Sequence, residues 1–424
     1  MKLARFCGLF SMKTMQIPRF FFLKTSAQSS FTLALLYNLC AMNKGFKNVN
    51  LVLPDKVVKG SLSFEGNRIK SFSEPDEALL SDKDVYLCPG FIDEHIHGAN
   101  GCDVMDGKTS SLQTMADALV QEGVTAFLAT TMTESKDKIF ASCKTVKEYV
   151  SSTHSGAEII GLHLEGPFIS PIHKGAQDEQ YILTPDVDLL ARFNHESGNL
   201  VRLITFAYEN DKDSKFLEYC LANGITPSIG HSDCTSELFK EGISKGLRCV
   251  THLFNAQRRF HHRDPGITGE GLLQDGVKTE IICDTYHVCP DALALMFKSK
   301  KKEDIVMISD SCEAKYLPEG AKAHLGSQEI FVSGGVAKLS DGTIAASILK
   351  LDQGLRNVAP IAGKYGYQYN DLINLLTLNP AKNLRIDKDY GSLAIGKKAS
   401  FTVLDSSFHV LMTVVNGKVA YQQK

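Results

Sequence analysis

Two histidines separated by one residue, His95-Ile96-His97, follow Asp93-Glu94 and precede Gly98. Along an extended chain side chains alternate, so both imidazoles leave the same side while Ile96 faces away, and two nitrogens can reach one cation. Alone, such a pair is equally a surface accident. Other residues of ligand type recur, each after an apolar run: Glu165 in His163-Leu164-Glu165-Gly166-Pro167, His231 in Ile229-Gly230-His231-Ser232, His252 in Thr251-His252-Leu253 and Asp310 in Ile308-Ser309-Asp310-Ser311. Singly, Asp310 could be a helix N-cap, and His163 is read as a satisfied core histidine. Jointly, imidazoles and carboxylates without a thiolate suit one or two divalent ions of Zn, Fe, Mn or Co in a site with a position open for water. Hydrolysis is the chemistry such a site supports.

Elements must bring these residues to one place. Apolar runs of strand length at 85–92, 124–130, 159–164, 200–206, 225–229, 247–251, 280–283 and 305–309 alternate with helix-compatible stretches. Continuous apolar strands are those buried on both faces, so the pattern predicts a closed parallel (β/α)8 barrel, whose active sites lie at the strands' C-terminal ends. An open doubly wound sheet is the weaker rival, because no GxGxxG or GxxxxGK[ST] loop follows any of the runs. Short apolar runs at 49–53, 57–64 and 69–72, and again at 400–404, 410–415 and 418–421, read as two halves of one small β-sandwich. The expected division is thus 42–84 with 385–424 for the sandwich and 85–384 for the barrel.

The 424 residues carry a net charge of -2, which gives no general attraction to nucleic acid or anionic lipid. Eleven scattered cysteines without a CxxC pair suit a reducing compartment, and a cytoplasmic location is expected. Residues 1–41 hold Lys2, Arg5, Lys13, Arg19 and Lys24 but no acid. They read as an upstream extension before Met42, with a transit peptide as the alternative; the apolar run 31–42 is too short to span a bilayer. The densest basic cluster is Arg258-Arg259-Phe260-His261-His262-Arg263. On the barrel face that carries the metal residues, it points to an anionic small substrate.

Pro89-Gly90-Phe91-Ile92-Asp93, His163-Leu164-Glu165-Gly166-Pro167-Phe168, Gly230-His231-Ser232, Thr251-His252-Leu253-Phe254-Asn255-Ala256 and Asn379-Pro380-Ala381 together resemble the N-acetylglucosamine-6-phosphate deacetylases, from about residue 43 onward. The segment Gly391-Ser392-Leu393-Ala394-Ile395-Gly396-Lys397-Lys398-Ala399 is similar to amidohydrolases more widely. The resemblance implies that Glu165, His231 and His252 bind metal and that Asp310 is the acid/base. His95 and His97 align the chain with two-metal members. It further implies that Asn255, the Ala256 backbone, Arg263 and His287 hold an amino sugar phosphate, some across a homodimer interface. Gln177 stands where other members have a histidine at the substrate carbonyl. Two alternatives remain at this stage: an amidohydrolase acting on another small or cyclic amide, and a non-catalytic scaffold, against which the retention of all six candidate ligands argues.

Overall fold

The computed structural model describes residues 45–75, 85–326 and 328–423. The cationic extension 1–41 and the apolar run 31–42 lie outside the described residues. Among the described residues no helix is long and apolar enough to cross a membrane.

Eight parallel strands stand side by side in chain order: Phe91–Ile96, Val124–Thr131, Glu158–Glu165, Val201–Phe206, Thr226–Ile229, Cys249–Val250, Lys278–Ile282 and Ile305–Ile308, hereafter barrel strands one to eight. Each is followed by a helix, from Thr109–Leu119 after strand one to Leu351–Ala362 after strand eight. Local chemistry sets several helix starts. Ser135, Asp186 and Thr235 each accept a bond from a backbone N–H in the first turn, satisfying a donor that no carbonyl can reach. Strands one and eight meet at the mouth, where Asp310 N donates to the His95 carbonyl (2.9 Å) and His97 N to the Ser311 carbonyl (2.9 Å). Lower down, the carbonyls of Leu375 and Leu376 fill the gap, accepting from Met307 N (3.0 Å) and Ile92 N (2.8 Å).

The expected barrel is therefore present, with one change in its first strand. The apolar run 85–92 is two strands: Tyr86–Pro89 pairs with the chain-end strands, and only Phe91–Ile96 enters the barrel. Gly90 marks the switch. A Cβ there would lie 2.0 Å from Thr125 Oγ1, so only glycine lets the chain pass so close to strand two.

The chain ends form one seven-stranded sheet, in the order Lys418–Gln422, Val410–Val415, Phe401–Leu404, Tyr86–Pro89, Phe46–Val52, Val57–Glu65 and Arg68–Ser73. It is antiparallel except where Phe46–Val52 runs parallel to Tyr86–Pro89. Its two wings meet: Arg68 bridges to Lys398, and Phe46 and Phe64 each contact Phe401. The enclosed core adds Val49, Leu62, Leu87 and Val414.

One element has no counterpart in the sequence reading. A four-stranded antiparallel sheet, Lys322–Leu325, Gln328–Ser333, Val336–Lys338 and Ile344–Ala346, is inserted between strand eight and its helix. It packs Leu325, Ile330 and Val332 against Met132 and Cys312 at the barrel mouth.

Candidate active site

His95 and His97 leave the end of strand one, Glu165 ends strand three, and His231, His252 and Asp310 lie two residues beyond strands five, six and eight. His231, His252 and Asp310 adopt positive φ of 46°, 29° and 47°. Non-glycine residues rarely occupy that region, at a cost on the order of 1–3 kcal/mol each. The three turns carry the side chains over the barrel axis, where all six candidates converge.

Glu165 is the hub. Its Oε1 lies 3.1 Å from His252 Nε2, 3.2 Å from His231 Nε2 and 3.4 Å from His95 Nε2. Oε2 lies 3.2 Å from His97 Nε2. Asp310 Oδ1 stands 3.4 Å from both His95 Nε2 and His97 Nε2. Two triads result, His95–His97–Asp310 and Glu165–His231–His252, the ligand atoms of each within 4.8 Å of one another.

Charge and geometry both fit a cation here. His231 Nε2 and His252 Nε2 face each other at 3.1 Å. At that separation one ring can donate to the other, or both lone pairs can turn to a positive ion held together with Glu165. Burial opposes ionisation throughout, yet the carboxylates of Asp310, Glu165 and Glu280 hold the His95 imidazole well above its usual range. Burial is likewise outweighed at His97, which Asp310 and Glu165 push up to about 9. The histidines in turn hold Glu165 well below the usual carboxylate range against its burial, and Asp310 below it. The pocket thus favours positive charge, which protons or divalent metal can supply. His163 behaves oppositely. Burial, with cationic His95 beside it, keeps it neutral, and its Nε2 lies 2.8 Å from Thr205 Oγ1, in keeping with a satisfied core histidine.

The cavity over these residues is lined by Gln177, Asn255, Ala256 and His287, all picked out from the sequence. Gln177 is engaged at both ends: Nε2 donates to Glu165 Oε2 (2.7 Å), and Oε1 accepts from Thr133 N (2.8 Å). Its amide holds the hub carboxylate with one of its two N–H donors. His287 is fixed by Asp284, whose Oδ2 lies 2.6 Å from Nδ1. Arg263 is not brought into this cavity. It sits in the exposed loop 259–263, while Arg258 forms ion pairs with Asp233 and Asp264. Arg263 therefore does not line the cavity of its own chain.

Other lining residues, Met132, Leu325 and Ile344, were missed. Two come from the inserted sheet, whose only signal was the Gly334-Gly335 turn between short alternating runs.

The model of the amidohydrolase family matches residues 86–420. An N-acetylglucosamine-6-phosphate deacetylase of Bacillus subtilis (strain 168) is 36% identical over 388 residues, covering 89% of this chain and 97% of that protein. An N-acetylgalactosamine-6-phosphate deacetylase of Escherichia coli O157:H7 is 31% identical, covering 82% of this chain and 91% of that one. Among solved structures, the N-acetylglucosamine-6-phosphate deacetylase of Thermotoga maritima matches with a TM-score of 0.82 at 33% identity, over 89% of this chain and 100% of that one.

Proposed function

Because the chain belongs to the amidohydrolase family, we propose that it hydrolyses the N-acetyl group of N-acetylglucosamine 6-phosphate to acetate and glucosamine 6-phosphate, a step of amino sugar catabolism. The observation that carries this reading is the pair of triads sharing Glu165 at the floor of a cavity lined by Asn255, Ala256 and His287. A cyclic-amide hydrolase is less favoured, because the relatives named above act on N-acetyl amino sugar phosphates.

Glu165, His231 and His252 would hold one divalent ion, and His95, His97 and Asp310 a second, with Glu165 between them. Imidazole and carboxylate donors suit Zn, Fe, Mn or Co. When bound, such an ion supplies Lewis acidity, polarising the amide carbonyl and making water nucleophilic near neutral pH. Asp310 accepts the proton of the attacking water as the new C–O bond forms, then delivers it to the nitrogen as the C–N bond breaks. Gln177 keeps Glu165 turned toward the histidines. Asn255, the Ala256 backbone and His287 hold the sugar phosphate, whose binding energy positions the amide.

Arg263 supplies its guanidinium to the phosphate in the cavity of a second copy, in a homodimer. Its outward position supports this, as do Phe260, 59% exposed, and Tyr286, 54% exposed, apolar rings suited to burial between subunits. Catalysis belongs to the barrel that begins at Phe91, and the chain-end sheet, Tyr86–Pro89 included, forms the supporting domain. The free cysteines among the described residues suit a cytoplasmic setting.

Acetate release from N-acetyl sugars with and without a 6-phosphate, in chelated and metal-restored protein, tests the proposal. Metal-dependent release from the phosphorylated glucosamine derivative is expected. Acetate release without metal, or faster ring opening of a cyclic amide, would overturn it.

A further inference from the structure

Below the two triads, the barrel interior holds polar side chains to which the hydrolytic reading assigns no role. Barrels of this type are usually filled by branched apolar residues, yet Glu280 projects from strand seven and is fully buried. Its Oε2 lies 3.1 Å from His95 Nδ1 and accepts from the backbone N of His252 (3.3 Å). Its other oxygen, Oε1, has no partner. Burying a half-satisfied carboxylate is costly, so its placement calls for a compensating use.

The four histidines of the triads differ in what fixes them. His231 Nδ1 lies 2.9 Å from the carbonyl of His173, which can only accept. The Nδ1 atoms of His97 and His252 have no partner. His95 alone has a carboxylate behind it, and the ring of His163 stands against it edge to face at 4.4 Å. Whether His95 is cationic or binds metal through Nε2, its Nδ1 carries a proton that the Glu280 oxygen can accept, and its Nε2 is directed at Glu165 and Asp310, each 3.4 Å away. The same oxygen also holds the backbone of His252, a member of the other triad.

We propose that Glu280 is a positioning residue for the metal centre: it fixes His95 as the Nδ1–H tautomer and anchors the turn that presents His252, aligning one ligand from each triad with a single carboxylate. This rests on the metal-dependent reading of the site. Outer partners of ligating histidines typically change metal affinity by about 10- to 100-fold, and the loss here falls chiefly on the ion held by His95.

The test uses full-length protein loaded with zinc. Wild-type protein is expected to hold two equivalents, and in Glu280→Leu the weaker one should dissociate about 10- to 100-fold more readily in competition with a chromophoric chelator. Glu280→Gln keeps an acceptor oxygen and is expected to stay near wild type, and it is this split from the similarly bulky Glu280→Leu that a merely space-filling role would not produce. Long-range 1H–15N correlation of histidine-labelled zinc protein, with His95→Ala for assignment, should show the Nδ1–H of His95. Wild-type affinity for both equivalents in Glu280→Leu overturns the proposal. So does metal bound at Nδ1 of His95 in the wild type, a result available even if Glu280→Leu does not fold. A wild-type protein that holds no zinc would instead overturn the metal-dependent reading itself.

Discussion

In the chain-end sheet, Phe46, Phe64 and Phe401 meet with ring centroids 5.6 and 6.4 Å apart, packed with Val49, Leu62, Leu87 and Val414. At the barrel mouth, a comparable space holds Glu165, Asp310 and four histidines, three of these six residues on a left-handed backbone, with His95 Nε2, His97 Nδ1 and His252 Nδ1 lacking hydrogen-bond partners. The first arrangement is what hydrophobic burial favours. The second opposes folding at each step, through desolvated charge, unpaired polar atoms and backbone strain. The difference teaches where stability and chemistry reside in this molecule. Apolar packing in the sheet and barrel walls offsets a mouth that would not hold its shape alone.

If that division is sound, a change at the mouth should alter turnover without weakening the fold. Asp310→Asn is expected to lower kcat by about 10²- to 10⁴-fold. Its melting temperature should not fall, since asparagine tolerates the left-handed backbone and removes a buried charge. Acetate release and a thermal melt check the two halves; turnover within a few fold of wild type would remove Asp310 from the mechanism. The converse change is Phe401→Ala, expected to cost about 3–5 kcal/mol of unfolding free energy. Urea denaturation reads that loss, while kcat for the folded fraction stays unchanged. A matching loss of kcat would mean that the sheet takes part in the site.

Arg263 sharpens the comparison at the molecule's surface. Arg263→Ala should lose about 1.5–3 kcal/mol in kcat/KM for the phosphorylated substrate and little for unphosphorylated N-acetylglucosamine. Mixing it with Asp310→Asn chains should restore activity, because an intact Arg263 then faces an intact Asp310 across the dimer. No restoration on mixing would place Arg263 outside the partner's site.

The smallest effect concerns a buried charge remote from the mouth. Lys300 is buried with its ammonium on the Gln274 carbonyl (2.6 Å), and burial lowers its pKa from 10.5 to about 8. Below pH 8 both folded and unfolded chains carry this proton and the folded state bears the desolvation cost. Between about pH 8 and 10.5 the unfolded chain binds more protons, so this group's contribution to stability rises with pH. Lys300→Met should flatten that rise, read as the change in urea midpoint between pH 7.5 and 9.5 relative to wild type. An unchanged slope would show that the ammonium is not desolvated.

Much of this arrangement was legible in the chain. Seven of the eight barrel strands coincide with apolar runs to within a few residues, because walls buried on both faces demand them, and the six ligand candidates were visible as metal-ligand types at or just after the ends of such runs. The split at Gly90 was not legible, since both halves of 85–92 are apolar and the event that separates them is contact with Thr125, distant in sequence. The inserted sheet escaped because its strands are short and one-sided, and Ile344–Ala346 leads directly toward a helix. That Arg263 stays out of its own chain's cavity was not legible either, since sequence spacing carries no information about which way an exposed turn faces.

The pairing of Phe401–Leu404 with Tyr86–Pro89 also sets an order of events during synthesis. Phe46 and Phe64 leave the ribosome early, yet the ring they close upon, Phe401, is made only after the entire barrel. Until then the first strands present an unfinished apolar surface, the kind of exposed edge that aggregates or recruits chaperones. The last strands act as a latch, so a nascent chain halted anywhere before Phe401 can build barrel strands but cannot cover its own beginning.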